Sequence, residues 1–247
     1  MIEVGRVCEI TRYPVKSMAG TRTDSALLGW HGLDGDRRYA FRRSGDTSGF
    51  PWLSASRLPA LVLYQPYGLD EGAGEPLPTH VRTPAGSHFK LPSGELQAEI
   101  ADRFGGALEL MKLKHGIFDE GAISVISLAT IAGIGRDAGL ELDRRRFRAN
   151  LVVETENGEP FREDAWVGRT LVFGDGDSRP AVRVTLRTER CMMINLDPET
   201  GAQDGRPMRS VVRLNNNYAG AYGTVVRAGR IRVGDRLNVT DESSRPS

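Results

Sequence analysis

The sequence is poor in the residues from which proteins most often build metal and redox centres. Only two cysteines, Cys8 and Cys191, occur in 247 residues. Two are too few for a cysteine-rich zinc site or an iron–sulfur cluster. The four histidines have no spacing that places two of them on one helix face as metal ligands. Cysteine-rich metal sites are excluded and the histidines are interpreted as surface or structural residues, whereas a disulfide between the two cysteines stays open.

Long apolar runs and a strong net charge are also lacking. No apolar run is long enough to span a membrane, and residues 1–6 contain no apolar core of a secretory signal. We therefore expect a cytoplasmic protein with reduced thiols. The formal net charge is +1, so no overall field draws the chain to nucleic acid or to an acidic membrane. We expect neither as a partner, and any anion site must be built locally.

Several signatures of common enzyme folds are missing as well. No GxGxxG motif follows a strand and opens a helix, which disfavours a Rossmann dinucleotide site. No GxSxG elbow, HExxH motif or glycosidase-like pair of carboxylates is found. What the chain does contain is many short strand patterns and few helical ones. This pattern predicts a mainly β protein with a few short helices, of the α+β class, built on a β-barrel.

The individual elements follow from local patterns. A helix is predicted over residues 95–104, ended by Gly105 and Gly106, and a second through 128–132, capped by Ser124 or Ser127. Strands are predicted at apolar or alternating segments, namely 37–43, 61–64, 81–83, 151–153, 170–173, 182–186, 211–214, 224–226 and 230–233.

Cys191 is the residue with the strongest case for chemistry. Apolar and polar residues alternate over 182–187, so a regular strand would place Arg183, Arg187, Glu189 and Cys191 on one face. Nearby cations, with Arg190 adjacent, favour the thiolate, which is the form that attacks or binds a soft metal. The alternative is a buried, inert cysteine.

Lys16 stands out because only four of the 33 basic residues are lysines. It is flanked by apolar residues and followed by Ser17 and a small turn that ends at Gly20. An ammonium with a neighbouring hydroxyl suits a phosphate. A surface lysine that lies along apolar surface is the alternative.

A basic run at 144–148 leads into the apolar strand at 151–153. It fits a phosphate clamp, a nucleic-acid patch or a solvated face, although nucleic acid is disfavoured by the net charge and the single interleaved aromatic residue, Phe147. Asn150, at the entrance to the strand, can offer an amide to a ring edge or satisfy a turn.

Taken together and in order, these segments resemble the MOSC family, the molybdenum-cofactor sulfurase C-terminal domain. Each segment alone is weak evidence, and the ordered set covers nearly the whole chain. The segments are 13–17 (YPVKS), 36–37 (DR), 54–59 (SASRLP), 146–153 (RFRANLVV), 163–166 (EDAW), 190–191 (RC), 197–201 (DPETG), 220–223 (GAYG) and 229–235 (GRIRVGD).

The resemblance implies a fold, a cofactor and site residues. Residues 1–115 would form a β-barrel-like N-terminal domain, 116–240 the MOSC core domain and 241–247 a polar tail. The implied cofactor is a pterin-based molybdenum cofactor. The residues implied to bind it are Lys16, Ser17, Arg37, Arg148, Asn150 and Arg190. Cys191 and Asp197 are the implied catalytic residues. Cys191 would ligate the metal, and Asp197 would order the adjacent loop.

The chain departs from the family pattern at a few positions. Glu189 stands where a small polar residue is usual, and Ile194 and Asn195 replace two threonines after the cysteine. Ala149 replaces a proline, and Ser56 stands where arginine is common. A carboxylate at Glu189 would repel an anionic cofactor unless it points away or pairs with an arginine.

Three hypotheses result. The first is a molybdenum-dependent reductase of the amidoxime-reducing type, which acts on small N-hydroxylated or related N- or S-oxygenated compounds with electrons from an external donor protein. The second is a sulfur carrier or cofactor-handling protein that uses a Cys191 persulfide. It would need a sulfur donor, since the chain has no recognisable pyridoxal-phosphate desulfurase domain. The third is a non-catalytic cofactor-binding module.

Overall fold

The computed structural model describes residues 1–69, 74–116, 120–176 and 179–240. The predicted polar tail, 241–247, lies outside the described residues. The α-helices are α1 (Gly94–Phe104), α2 (Leu128–Ala138) and α3 (Arg206–Asn215). The strands are β1 (Ile2–Arg12), β2 (Thr21–Thr23), β3 (Ser25–Gly29), β4 (Gly32–Leu33), β5 (Tyr39–Arg43), β6 (Gln65–Tyr67), β7 (His80–Arg82), β8 (His88–Lys90), β9 (Leu108–Lys112), β10 (Ile123–Ser127), β11 (Leu151–Thr155), β12 (Thr170–Phe173), β13 (Ala181–Glu189), β14 (Tyr218–Arg227), β15 (Gly229–Arg232) and β16 (Arg236–Thr240). The predicted mainly β, α+β class is confirmed.

A closed barrel forms the centre of the fold. Within the described residues it contains seven strands in the order β1, β11, β10, β14, β13, β12 and β16, and β16 pairs with β1 again. Of the strand pairs described in this barrel, only β10 and β11 run parallel. Strand β1 therefore belongs to the barrel although it comes from the first residues of the chain. The division into two domains at residue 115 stays a prediction.

Alternation of side chains explains why these segments are strands. Apolar residues two positions apart point into the barrel, as in Leu171 and Phe173 or Val182 and Val184, all at most 1% exposed. Closure leaves these strands without a free edge and buries one continuous core.

Two further apolar clusters lie outside the barrel. One joins α1 to the smaller sheets and contains Met18, Phe41 and Leu196. The other packs α2 and α3 against the barrel and contains Phe147 and Ile194. Since Ile194 and Leu196 belong to different clusters, the segment that follows Cys191 is anchored on two sides.

The predicted helices at 95–104 and 128–132 are confirmed. Ser93 caps α1 and Gly105 ends it in the left-handed conformation. Ser127, one of the two candidates, caps α2 by accepting a hydrogen bond from the Thr130 amide at 3.0 Å. The glycine-containing segment after the predicted residues 128–132 continues α2 to Ala138. Gly139, with φ of 64°, ends the helix.

Two predicted strands are wrong. Residues 211–214 lie in α3, where Pro207 suits the first turn and Asn216 ends the helix in the left-handed conformation. Val211 is buried and Val212 is 50% exposed, as one face of a helix requires. Residues 61–63 lie in a 3-10 helix, Pro59–Leu63. Short apolar runs do not separate strand from helix by periodicity alone.

The structure also bears on a disulfide between the two cysteines and on a membrane-spanning segment. Cys8 is partly buried and Cys191 exposed, and both are free, so the disulfide that the sequence left open does not form. Among the described residues, no helix has the length and apolar character needed to cross a bilayer.

Candidate functional site

A cavity of about 510 Å³ lies beside Cys191. It gathers residues that are far apart in the chain, from Lys16 to Tyr222, and includes part of the basic run. Its lining is formed by Lys16, Ser17, Arg37, Phe50, Ser54, Ser56, Glu120, Ser124, Arg146, Phe147, Arg148, Thr188, Glu189, Arg190, Cys191, Met193, Ile194 and Tyr222. A larger cavity of about 800 Å³ shares Arg146, Arg148 and Met193 with it, but Cys191 does not line that one. We therefore treat the smaller cavity as the candidate site.

Cys191 lies just beyond the end of β13 and directly before a 3-10 helix, Met192–Asn195. Exposed and buried residues alternate here: Glu189 and Cys191 are exposed, and Arg190 between them is buried. Cys191 is therefore not the buried cysteine of the alternative interpretation. An exposed thiol at the edge of a cavity is available to a ligand.

Arg190 is fixed behind the thiol. Its Nε donates to the carbonyl oxygen of Ala219 at 2.7 Å, and Nη1 donates to that of Phe147 at 2.8 Å. Burial lowers the pKa of its guanidinium. Nη2 is buried and has no hydrogen-bond partner among the described residues.

The predicted grouping of Arg183 and Arg187 with Cys191 is wrong. Strand β13 is irregular, with shifts of register between Val184 and Leu186 and between Arg187 and Glu189. Neither arginine lines the cavity. The guanidinium of Arg187 instead lies 3.8 Å from the ring centroid of Tyr218.

Lys16 and Ser17 form one wall of the cavity, and both are buried. Lys16 is 9% exposed, which excludes the alternative of a surface lysine. Its Nζ lies 5.2 Å from the ring centroid of Phe50. Both side chains offer hydrogen-bond donors of the kind that bind phosphate.

Arg37 is held by a buried polar cluster. Its Nη1 forms an ion pair with Asp36 and donates to Oδ1 of Asn150 at 3.3 Å. Burial lowers the pKa of the Arg37 guanidinium, but the Asp36 carboxylate outweighs this effect and the net shift is upward. Arg37 is therefore a permanent cation in the wall of the cavity.

Asn150 is 1% exposed and does not line the cavity. Its Nδ2 donates to Asp36 Oδ2 at 3.0 Å and to the Thr11 carbonyl oxygen at 3.2 Å. Its Oδ1 accepts hydrogen bonds from the backbone amide and hydroxyl of Ser124. The amide thus joins β1, β10 and Arg37 behind the cavity wall.

Arg148 and Arg37 share an aromatic partner. The guanidinium of Arg148 lies 4.3 Å from the ring centroid of Tyr13, and that of Arg37 lies 5.2 Å from it. Nη1 of Arg148 donates to the Met18 carbonyl oxygen at 2.6 Å. Burial raises the pKa of Tyr13 to about 12, so this ring stays neutral between the two cations.

Three of the predicted cofactor-binding residues have left-handed backbones. Ser17, Arg37 and Arg148 have φ of 68°, 49° and 51°. Such conformations cost of order 1–3 kcal/mol outside glycine and concentrate at functional sites. That three of them line one cavity is a local signal of function that is independent of sequence motifs.

The other basic residues of the run have different roles. Arg144 pairs with Glu9 at 2.8 Å, and Arg145 pairs with Asp143 and Glu199. Arg146 lines the cavity and its Nη2 lies 2.7 Å from Oδ2 of Asp197. Part of the run thus faces the candidate site and part is neutralised by carboxylates.

Asp197 does not line the cavity but orders the loop after Cys191. Its Oδ1 accepts hydrogen bonds from the amides of Glu199 and Thr200 at 3.0 Å and from the Thr200 hydroxyl at 3.1 Å. Burial raises the pKa of its carboxyl, but these hydrogen bonds and Arg146 outweigh that effect and lower it.

Sequence reasoning missed several residues that build the site. Tyr13 and Asp36 lie behind it, and Phe50, Thr188 and Tyr222 line it. The spacing of residue types carries no signal for them, because they come from separate turns and strands. Tyr13, Asp36 and Tyr222 had only the hint that each lies in a segment that resembles the MOSC family.

The donor set fits a molybdenum cofactor. In the part of the chain that the structure describes, no three His, Cys, Asp or Glu side chains form a metal site. A metal here would therefore need ligands carried by a cofactor in addition to the Cys191 thiolate. Lys16, Ser17, Arg37, Arg148 and Arg190 bring cations and a hydroxyl to the same cavity, as an anionic, ring-containing cofactor requires.

Comparison with known families decides the classification. Residues 112–238 match the model of the MOSC domain, which is slightly more than half of the 247 residues. The chain belongs to the MOSC domain family. MOSC domains occur in proteins associated with the molybdenum cofactor, some of which are enzymes. No curated protein matches this MOSC chain.

Solved structures were compared with this MOSC protein for similarity of fold. It is similar to the YuaD protein from Bacillus subtilis, with 16% identity and a TM-score of 0.50 over 97% of this chain and 96% of that one. YiiM from Geobacillus stearothermophilus is similar over 50% of this chain and 56% of its own, with 15% identity and a TM-score of 0.36. At such identities the likeness to YuaD shows the fold alone.

Proposed function

We propose that this protein binds a molybdenum cofactor in the 510 Å³ cavity and reduces N-hydroxylated or related N- or S-oxygenated small molecules. A single observation carries the proposal: the exposed thiol of Cys191 and the cations of Lys16, Arg37 and Arg148 line one cavity. Thiolate is a soft ligand that suits a heavy transition metal, and the cations suit an anionic pterin cofactor.

Each predicted residue has a distinct part in this proposal. Lys16 and Ser17 would hold the phosphate through an ammonium and a hydroxyl, and the planar guanidiniums of Arg37 and Arg148 would hold phosphate and pterin. The left-handed backbones of Ser17, Arg37 and Arg148 would keep this part of the cavity wall preformed, because such conformations persist only where the surrounding structure holds them. Preformed donors lose little side-chain entropy when the cofactor binds.

Asn150 and Asp197 act through other residues. Asn150 donates to Asp36 and accepts from Arg37, so it fixes the direction of that guanidinium. Asp197 joins the loop after Cys191 to Arg146. We assign both as positioning residues, and Arg190 as the buried cation that stands behind the thiol.

A bound molybdenum cofactor supplies a metal centre that exchanges two electrons and an oxygen atom. Reduction of an N-hydroxyl group to N–H consumes two electrons and two protons and releases water. In this proposal the electrons come from a separate donor protein. This chain contributes the thiolate of Cys191, the cations that hold the cofactor and the cavity that admits the substrate.

The test is a comparison of two cysteine variants of the full chain produced with ample molybdate. The wild type and Cys8→Ser are expected to retain about one molybdenum per chain and to reduce benzamidoxime with a chemical electron donor. Cys191→Ser should fold normally, as judged by circular dichroism, and lose activity. A well-folded Cys191→Ser protein with full activity would overturn the proposal.

A sulfur carrier is the second candidate, favoured by the exposure of the Cys191 thiol. It predicts sulfane sulfur bound to Cys191 in protein without molybdenum, detectable by cyanolysis and by mass spectrometry. Molybdenum-loaded protein without sulfane sulfur would count against it.

The non-catalytic module was motivated by departures from the family pattern, and two of these have structural explanations. Ile194 is buried in the cluster around α2 and α3. Oδ1 of Asn195 accepts a hydrogen bond from the Met208 amide at 3.1 Å, in the first turn of α3. These two residues contribute to packing and helix capping. They therefore give less reason to infer that the protein has lost a catalytic activity.

A further inference from the structure

The larger cavity, of about 800 Å³, is lined from four parts of the chain. They are the three-stranded sheet β6–β7–β8, the segment from β1 to β2, the basic run and the segment after Cys191. Small-molecule sites generally occupy about 300–1,000 Å³. The cavity is therefore large enough for a ligand of its own, and the thiol of Cys191 does not line it.

One face of the three-stranded sheet forms a wall of this cavity. Gln65, Arg82 and His88 are directly paired across β6, β7 and β8, and side chains at paired positions project from the same face of a sheet. Tyr67 lies two residues after Gln65 and shares that face. All of them line the cavity, so cationic, amide and aromatic groups meet on one wall.

Tyr67 presents a fixed aromatic ring on this wall. Its ring centroid lies 5.5 Å from those of both His80 and His88, and its hydroxyl oxygen lies 2.8 Å from Nδ1 of His88. The plane of the ring is 28° from that of His80, so these two rings are stacked. Tyr67 is nevertheless 41% exposed. A ring that is both held and accessible can stack on the planar part of a ligand.

Much of the positive charge around the cavity is already paired with carboxylates. Five arginines and one aspartate line it, namely Arg22, Arg82, Asp143, Arg145, Arg146 and Arg148. Three of these arginines form ion pairs, namely Arg22 with Glu9 at 2.9 Å, Arg145 with Asp143 and Glu199, and Arg146 with Asp197. Charge that is available to a ligand must therefore come from the other arginines of the lining.

Arg82 is a cation that stays available. Its Nη2 donates to Oε1 of Gln65, which is a neutral amide, and it forms no ion pair within the described ranges of the chain. A planar guanidinium can donate two parallel hydrogen bonds to a phosphate. Thr21 lines the same cavity and offers a hydroxyl donor. These groups suit a phosphate better than they suit a neutral ligand.

Much of the remaining lining is apolar. Its members are Val62, Pro66, Met193, Leu196 and Pro198. An inorganic anion would leave this surface and the ring of Tyr67 uncovered, whereas an aromatic group attached to a phosphate would remove both from water. The combination of a cation, a fixed ring and an apolar wall therefore favours an organic phosphate that carries a planar ring.

We propose that the larger cavity is a second ligand site, for small organic phosphates with a planar ring such as nucleoside monophosphates. Tyr67 stacks on the ring, and Arg82 binds the phosphate. Arg146, Arg148 and Met193 line both cavities, so the ligand lies next to the candidate site without reaching the Cys191 thiol. The inference goes beyond the proposed reductase and does not depend on it.

The test is the binding of AMP, adenosine and inorganic phosphate to the full chain produced with ample molybdate, measured by isothermal titration calorimetry. AMP should bind at least about tenfold more tightly than adenosine or phosphate, because it makes the stacking contact and the ionic contact at once. The absence of AMP binding at millimolar concentration would overturn the inference.

Variants on the sheet wall separate the two contacts. Arg82→Gln should weaken AMP binding roughly fivefold, as an exposed ion pair allows, and leave adenosine binding unchanged. Tyr67→Leu should weaken the binding of AMP and of adenosine alike, by about tenfold, whereas Tyr67→Phe keeps the ring and should bind like the wild type. Arg209→Gln, which removes an exposed arginine on α3 outside both cavity linings, is the matched control.

Neither Arg82 nor Tyr67 lines the cavity beside Cys191. A loss of AMP affinity in both Arg82→Gln and Tyr67→Leu therefore locates the ligand whatever the molybdenum content. AMP affinity that either variant leaves unchanged would contradict the proposed site. AMP binding that molybdenum loading abolishes would do the same, because the nucleotide would then occupy the cofactor's cavity. Nucleotide binding in a protein without reductase activity would reject the reductase alone.

Discussion

Nη2 of Arg146 lies 2.7 Å from Oδ2 of Asp197, although 51 residues separate them in the chain. Arg146 lines the candidate cavity, and Asp197 orders the loop that follows Cys191. This ion pair connects the basic run before β11 to the cysteine segment after β13. A change at Asp197 should therefore affect the cavity although Asp197 does not line it.

Replacement of Asp197 by alanine should lower the free energy of unfolding by about 1 kcal/mol, because it removes hydrogen bonds to a partly exposed carboxylate. Asp197→Asn should cost less, since its side-chain oxygen can still accept from the amides of Glu199 and Thr200. Urea unfolding of both variants at pH 7 measures the difference.

The contribution of the Asp197 carboxyl to the free energy of unfolding should depend on pH. Its pKa in the folded protein is lowered below the ordinary value of 3.8, so its stabilising contribution is present above that pH. It is lost as the pH falls through the folded-state pKa. The stability difference between wild type and Asp197→Asn should thus persist from pH 7 to pH 5 and shrink below about pH 4. A difference that grows towards low pH would contradict this assignment.

Much of the fold is predictable from the sequence because barrel strands carry a two-residue apolar period. Segments such as Thr170–Phe173 were predicted with their observed bounds. Residues 211–214 were not, because Val211 and Val212 have strand propensity and packing against α2 and the barrel determines their helix. Local propensity yields to tertiary contacts in such short apolar runs.

The candidate site is predictable only in part. Lys16 and Cys191 carry chemistry that a motif can reveal, and both line the cavity. The ring of Tyr13 beneath two guanidiniums depends on contacts between residues more than 130 apart, as with Tyr13 and Arg148. The left-handed backbones of Ser17 and Arg37 follow from turns whose residues do not demand them. Neither feature has a signature in a single sequence.

The left-handed backbone of Arg148 allows its side chain and its strain to be tested separately. Arg148→Gly and Arg148→Ala both remove the guanidinium and should both lower the molybdenum content. Glycine adopts the observed φ of 51° without steric cost, so Arg148→Gly should be about 1 kcal/mol more stable than Arg148→Ala.

Asn216 provides the control, because it also has φ of 51° but ends α3 and does not line the cavity. Asn216→Gly and Asn216→Ala should show a similar difference in stability and an unchanged molybdenum content. Equal stability of the two Arg148 variants would mean that its backbone is not strained.

The space around Gly220 shows how tightly the Arg190 side chain is enclosed. A Cβ at Gly220 would lie 2.7 Å from the carbonyl oxygen of Val125 and 3.0 Å from Nη2 of Arg190, and φ is 82°. Gly220→Ala should therefore cost about 2–4 kcal/mol through strain and displaced neighbours, and should lower cofactor content by moving Arg190.

Gly139 is the matched position, since it has φ of 64° but no atom within 4 Å of an added Cβ. Gly139→Ala should cost only about 1 kcal/mol, the backbone part of the effect. Urea unfolding of both variants distinguishes strain from collision. Equal losses would show that the enclosure of Arg190 contributes nothing.

The two thiols should differ in reactivity, because Cys191 is exposed and Cys8 is partly buried. Burial is the largest cause that raises the pKa of the Cys8 thiol above 9.0, and the Glu154 carboxylate adds to it. In cofactor-free protein at pH 7, a disulfide reagent should therefore modify Cys191 at least about tenfold faster than Cys8. Cys191→Ser should abolish the fast phase and Cys8→Ser the slow one.

The pH profile and the cofactor then test the assignment of Cys191 as the metal ligand. Because the pKa of the Cys8 thiol is raised, the rate at which the reagent modifies Cys8 should still increase as the pH rises above 9.0. Loading with molybdenum cofactor should protect Cys191 alone, since a thiolate bound to metal is no longer a free nucleophile. Fast modification of Cys191 in protein with one molybdenum per chain would show that the metal is held by other ligands.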